Sequence, residues 1–270
     1  VSFVAGFNNQ VTQSFTAFGT HLVQFQKFEP RFHGPGGPPE EERNRRDLTV
    51  EDAWALKRLS KLVKAVSPER YMFGDPPVVK AGRREANSPL VFGGAPDYCE
   101  ANVHFVDDGR FLSEADLNHV ANVAVVGPDV VSVLWPLQDP IDQELTINGR
   151  TYRVIGVFEH QGTSFFGSSD NYIAIPITTF DEQFPEVKNS GGDTIHIATV
   201  PRRPEDFNAL IEEETAILRA RRGLKSNQEN DFALMTSVGR LRQFQQITGT
   251  VAAAMIVIAG IALLVGGVGV

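Results

Sequence analysis

TIHIATVPRRPEDFNALIEEETAILRARRGLKSNQENDFALM, residues 194–235, reads as a strand, a helix and a second strand in succession. Thr194 to Val200 alternates in the period of a half-buried strand. Pro204 then starts a helix with Phe207, Leu210, Ile211, Ile217 and Leu218 on one face. Glu205, Asp206 and Glu212 to Glu214 lie nearer its start, and Arg219, Arg221 and Arg222 at its end, an order that suits the helix dipole. Gly223 ends the helix, and Phe232 to Met235 supplies the closing strand.

A second unit of this kind lies near the N-terminus. Leu22 to Phe28 reads as a strand, and Thr49 with Asp52 forms a capping pair for a helix carrying Ala53, Leu56, Leu59, Val63 and Val66. Tyr71 to Val79 is the expected following strand, interrupted by Asp75-Pro76-Pro77. Pro30 to Asp47, rich in Pro, Gly and mixed charge, reads as a loop or mobile arm. Ahead of all this, Phe3, Phe7, Val11, Phe15 and Phe18 form one helical stripe that stops at Gly19. Two β-α-β units in one chain predict an α+β fold, a ferredoxin-like layer with its helices on one face.

The intervening residues have a different texture. ELTINGRTYRVIGVFE (Glu144 to Glu159) is a hairpin, because Asn148-Gly149 tolerates the positive φ of a type I′ turn. Val123 to Val126 and Tyr172 to Ile177 add strands, Ser113 caps a short helix, and Pro128 starts another. Asp107-Asp108-Gly109 fails as a calcium loop, since the positions that need acidic ligands hold others, and reads as a turn before Arg110. The expected division is 1–84 for the first half of the ferredoxin-like subdomain, 85–190 for an inserted small β-rich subdomain, 191–240 for the second half and 241–270 for a membrane helix.

That last segment rests on one observation. Gln243 to Val270 contains no charged side chain, and its apolar run exceeds the roughly 20 residues that cross a bilayer as a helix. A buried helix of a soluble protein is the alternative. Within it, Gly249, Ala253, Gly260 and Gly267 fall near one face, where small residues let another helix approach closely; Gly is also simply common in membrane helices. Because the chain starts at Val1 and stops inside the apolar run, it reads as a piece of a longer polypeptide with an earlier span. A net charge of −8 argues against nucleic acid and favours the outer side of a membrane, although Arg240 and Arg242 count the other way.

Recognisable catalytic motifs are missing. The sequence has no GxxxxGK[ST], no GxGxxG after a strand, no HExxH and no GxSxG. Its six histidines are scattered, and the lone Cys99 excludes an internal disulfide. Cys99 and His104 are close enough in sequence to consider a thiol–imidazole pair, with structural burial as the other reading. Phe165-Phe166, in the Gly- and Ser-rich loop QGTSFFGSSDN, reads either as a contact for a partner or cargo or as a pair folded over the domain's own core. No catalytic, cofactor-binding or metal site is expected.

Tyr98 to Asp116 (YCEANVHFVDDGRFLSEAD) and Val123 to Glu159, together with the Tyr172 to Ile177 strand, resemble the extracytoplasmic core domain of MacB-type ABC-transporter permeases. Ala262 to Val270 (ALLVGGVGV) resembles their second membrane helix. The arm at Pro30 to Asp47 departs from the family's pattern. The resemblance implies a porter-like subdomain interrupted by a β-rich one, lying outside the bacterial cytoplasmic membrane. It implies a second permease copy forming a dimer, a cytoplasmic ATP-binding subunit or domain, a periplasmic adaptor and membrane lipid as partners. ATP would be bound by the partner ATPase, with no cofactor in this chain. The implied function is to couple ATP hydrolysis to movement of the outer domain for export of antibiotics, peptides or lipidated cargo. The other readings are a regulatory or scaffolding permease that controls partners such as cell-wall hydrolases, and a membrane-tethered enzyme.

Overall fold

The computed structural model describes residues 21–29, 37–72, 74–164, 167–188 and 195–236. The expected helix at Phe3 to Phe18, the pair Phe165-Phe166 and the whole apolar tail, including Gly249, Ala253, Gly260 and Gly267, lie outside these residues. Among the described residues, no helix is long and apolar enough to cross a membrane.

The fold is mixed α/β and dominated by one sheet. Its strands are β1 (Val23–Gln26), β2 (Val63–Tyr71), β3 (Val79–Ala81), β4 (Arg84–Glu85), β5 (Leu90–Gly94), β6 (Val106–Gly109), β7 (Val123–Val126), β8 (Glu144–Ile147), β9 (Arg150–Phe158), β12 (Tyr172–Pro176), β13 (Ile195–Pro201) and β14 (Ala233–Thr236). β10 (Thr163–Ser164) and β11 (Gly167–Ser168) form a separate two-stranded ribbon. The helices are α1 (Glu40–Arg43), α2 (Val50–Leu59), α3 (Tyr98–Asn102), α4 (Glu114–Asn118), α5 (Pro128–Leu134), α6 (Ile177–Gln183), α7 (Pro185–Lys188) and α8 (Phe207–Arg221).

The sheet runs β14-β1-β13-β2-β5-β12-β7-β9-β8-β3-β4, with β6 paired to β9. Its first four strands are antiparallel throughout. β13 lies between β1 and β2, so the units β1-α2-β2 and β13-α8-β14 interleave as split β-α-β units do. One core contains Val23, Phe25, Ala53, Leu56, Val66, Ile197, Leu210 and Leu218, drawn from these strands and from α2 and α8. Burying each large apolar side chain there contributes about 1.5–3 kcal/mol.

Several sequence expectations hold residue by residue. Thr49 and Asp52 form a reciprocal capping box on α2, and Ser113 and Asp116 form one on α4. Asn148 and Gly149 take φ of 48° and 81°, the left-handed pair a type I′ turn requires. Gly223 ends the last helix at φ 69°.

Four expectations need correcting. Val63 and Val66 are on strand β2, not on the helix, which ends at Leu59 with Ser60 extended. Val66 pairs with Thr199 and Ala65 with Val200, but Val63 pairs with Pro201, which leaves Lys64 as a bulge. A bulge shifts the strand's alternation by one. Two β-branched residues three apart therefore reach one core and imitate a helical stripe. The strand expected at Tyr71 to Val79 accordingly ends at Tyr71; Val79 opens β3, which pairs with the Asn148-Gly149 hairpin strand β8.

Asp107-Asp108-Gly109 is strand rather than turn. It pairs with β9 through a register shift, with Gly109 at φ 76°. The arm is not free over its second part. Glu42 is buried and accepts from the Glu29 amide, Arg45 reaches the Lys27 carbonyl and Glu29, and Lys27 pairs with Asp47 at 2.7 Å. Arg222 donates to the carbonyls of Arg46 and Asp47, fixing the stretch to the end of α8.

Glu214 on α8 is buried and accepts from Thr199 Oγ1 at 2.7 Å, while its Oε1 has no hydrogen-bond partner among the described residues. Burial pushes its carboxyl up to about 8, so the folded chain holds a proton that the unfolded chain releases near the ordinary value. The stabilisation is fully present below the unfolded value and is lost as pH rises to about 8. Glu214→Gln is therefore expected to remove about 2 kcal/mol of the fall in stability between pH 5 and pH 8. Denaturant melts of both proteins at the two pH values check this; parallel pH curves would contradict it.

Candidate functional site

The β-rich half joins the four-stranded layer along a narrow seam. β2 and β5 pair through Arg70 with Gly93 and Tyr71 with Phe92, and the Met72 amide just beyond donates to the Val91 carbonyl at 3.2 Å. Side chains reinforce the join. Arg70 Nε donates to Asp181 Oδ1 at 2.5 Å and its Nη2 to Oδ2 at 3.3 Å, with both residues largely buried. Phe180, one residue before Asp181 on α6, packs so closely on Gly93 that a Cβ there would stand 2.7 Å from the Phe180 Cβ.

Strand alternation builds a polar row on the sheet face opposite the α2/α8 core. Glu69 lies two residues from Tyr71 on β2 and directly across from His196 on β13. Gln24 on β1 extends the row, its Nε2 2.7 Å from His196 Nδ1. α3 covers this face, and Asn102 Nδ2 donates to Glu69 Oε1 at 2.5 Å while Tyr71 Oη donates to Oε2 at 2.6 Å. Burial raises the Glu69 carboxyl, and these two donors and the neighbouring His196 oppose the shift. A fully enclosed carboxyl persists here because its oxygens are satisfied.

Beside that row lies a cleft of about 190 Å³, bordered by Tyr71, Tyr98, Tyr172, Asn102, His104 and Gln161. His104 is buried, stacks on Phe158 at 4.1 Å between ring centres, and shares a 3.3 Å contact from Nδ1 to Tyr98 Oη. Burial lowers its imidazole to about 4, so it is neutral at physiological pH. Burial likewise raises Tyr98 well above the ordinary phenol value.

The structure does not assemble the Cys99–His104 pair. The imidazole's partner is Tyr98, and Cys99, half-buried, has its thiol raised to about 12 by burial and by Glu159. A thiol held so high carries little thiolate to act as nucleophile. Among the described residues, no group of three or more His, Cys, Asp or Glu could hold a metal ion. Buried Asp170 accepts the amides of Gln161 at 2.7 Å and Gly162 at 3.0 Å. The sequence signal for the cleft is weak: Tyr98 opens one short helix and His104 follows it, and the alignment of Glu69 with His196 appears only once β2 pairs with β13.

Comparison with known proteins settles the family. The model of the MacB-like periplasmic core domain matches residues 1–217. The chain belongs to this family. The MacB-like fold is shared with the crystal structure of the periplasmic region of MacB from Actinobacillus actinomycetemcomitans, at a TM-score of 0.65 and 19% identity, covering 87% of this chain and 98% of that one. The extracellular domain of the noncanonic ABC-type transporter YknZ from Gram-positive bacteria aligns at 0.55 and 14% identity, covering 79% of this chain and all of that one. In sequence, this MacB-like chain is 26% identical over 267 residues to the macrolide export ATP-binding/permease protein MacB of Aggregatibacter actinomycetemcomitans, covering 98% of the chain and 38% of that relative. It is 30% identical over 273 residues to the pyoverdine export ATP-binding/permease protein PvdT of Pseudomonas syringae pv. tomato, covering 98% and 37%. The chain therefore spans under two fifths of the length of these curated relatives.

Proposed function

We propose that this MacB-like chain is the extracytoplasmic part of an exporter's permease subunit, moved by ATP hydrolysis on the other side of the cytoplasmic membrane. The observation that carries the reading is the family match over residues 1–217, joined to relatives named for macrolide and pyoverdine export. The assembly is a dimer of permease copies served by an ATP-binding domain or subunit, with a periplasmic adaptor receiving cargo. The cargo class is antibiotics, peptides or lipidated molecules. The seam supports a transmitting role, because backbone pairing and a buried ion pair tie the two halves together.

Cells lacking the full gene are expected to retain one or more such compounds, and to export them again when the full-length transporter is restored. A transporter whose ATPase is disabled should fail to restore export. Normal export in the deleted strain, together with altered cell-wall hydrolase activity, would overturn the exporter reading in favour of a regulatory permease.

A further inference from the structure

We propose that Trp54 and Lys57 on α2 are positioning residues that lock the β-rich half against the four-stranded layer, so that the outer part turns as one body and does not bend at the β2–β5 seam. A short strand pairing is by itself a compliant joint, because neighbouring strands tolerate twist angles over a range of roughly 10–35°. Relative motion is the ordinary expectation for two halves of one chain. Contacts set to the side of the seam remove that freedom, and here they lie on both faces of β2.

On the α2 face, Trp54 and Val50 pack on buried Ala95, Leu117 and Ile177 of the β-rich half. Leu117 lies on α4 and Ile177 opens α6, and Thr178 Oγ1 donates to the Leu117 carbonyl at 2.7 Å, so these two helices meet α2 as a unit. Farther along α2, Lys57 Nζ stands 2.9 Å from Asp97 Oδ2, 3.6 Å from Glu114 Oε1 and 5.8 Å from the Trp54 ring centre. The same Asp97 oxygen accepts the Val66 amide of β2 at 3.1 Å, so Asp97 holds a helix and a strand of the layer at once. On the opposite face, α3 carries Ala101 into a cluster with Leu22 and Ala198, Glu100 pairs with Lys64 at 2.5 Å, and Asn102 holds Glu69. Rotation about the seam in either sense would open one of these faces. The apolar contacts supply most of the hold; Lys57 is partly exposed, and its ion pairs set direction more than strength.

The lock follows from these contacts, and its use in moving cargo rests on the exporter reading. The test places spin labels at exposed Leu137→Cys in the β-rich half and exposed Ala216→Cys on α8 of the full-length transporter, with Cys99→Ser. Labelled chains are diluted into excess unlabelled copies, so that each pair reports one protomer. Pulsed electron resonance is expected to give one narrow distance that ATP leaves unchanged. Trp54→Ala removes the packing, and Lys57→Glu, at a partly exposed position that spares the core, sets a third acid against Asp97 and Glu114. Each is expected to widen the distribution by more than about 2 Å, the scale of a domain rearrangement, with unchanged circular dichroism. Lys57→Arg should keep it narrow. A parent distance that moves with ATP, widening in neither variant, or equal widening in Lys57→Arg overturns the lock. The variants are compared without ATP, so a failed export assay would sink the exporter reading and leave this result standing.

Discussion

Replacing Arg70 by methionine is expected to lower the unfolding free energy by about 3 kcal/mol, because removing one partner of a buried ion pair leaves the other charge uncompensated. Arg70 is 5% exposed and grips Asp181 through two nitrogens. Lys188 Nζ, 3.7 Å from the same carboxylate, is too distant and too exposed to replace it. Asp181→Leu in the same chain should recover most of the loss, since an apolar pair of similar volume avoids the desolvation of both charges. Urea melts of the two single variants and the double variant measure this as a coupling energy. A loss below about 0.5 kcal/mol for Arg70→Met would place the pair among ordinary surface contacts, and the seam would rest on packing alone.

Gly156→Ala carries the second large effect. Gly156 on β9 faces residues 109–110, and a Cβ built on it would stand 2.3 Å from the Arg110 carbonyl oxygen. Across the pair, a Cβ on Gly109 would meet the Ile155 oxygen at 2.4 Å. Both obstacles are backbone, so neither rotates away, and β6 must separate from β9. Overpacking of this kind costs about 3 kcal/mol. The exposed neighbour Thr151→Ala on the same strand should change stability by no more than about 0.5 kcal/mol. A melting temperature for Gly156→Ala within error of the Thr151→Ala value would show that β6 is not held as close as the structure has it.

How much could be read in advance depended on the range of the signal. Caps and turns are local: Thr49 with Asp52, Ser113 with Asp116, and Asn148-Gly149 each specify their own geometry within four residues, and each was legible. So was the 207–221 helix, whose apolar face recurs over four turns. Val63 and Val66 mimic a helical stripe because the Lys64 bulge gives a strand the spacing of a helix, and only pairing with β13 reveals it. The cleft was hidden for the same reason. Glu69, Asn102, His104 and His196 come together across three separate parts of the chain, and nothing near any one of them in sequence announces the others. The docked second part of the arm depends on Arg222, more than 170 residues away.

The transmitting role is tested most directly by distances in the working assembly. Leu137, 94% exposed on the loop after α5, accepts a spin label without disturbing the core. The full-length transporter carrying Leu137→Cys, with Cys99→Ser and no other cysteine, would be reconstituted in bilayers and its label-to-label distance measured by pulsed electron resonance. ATP is expected to shift the distance between the two protomers by about 5 Å, the scale of one helical turn of sliding. Identical distance distributions with and without ATP, in a preparation that hydrolyses it, would contradict the account.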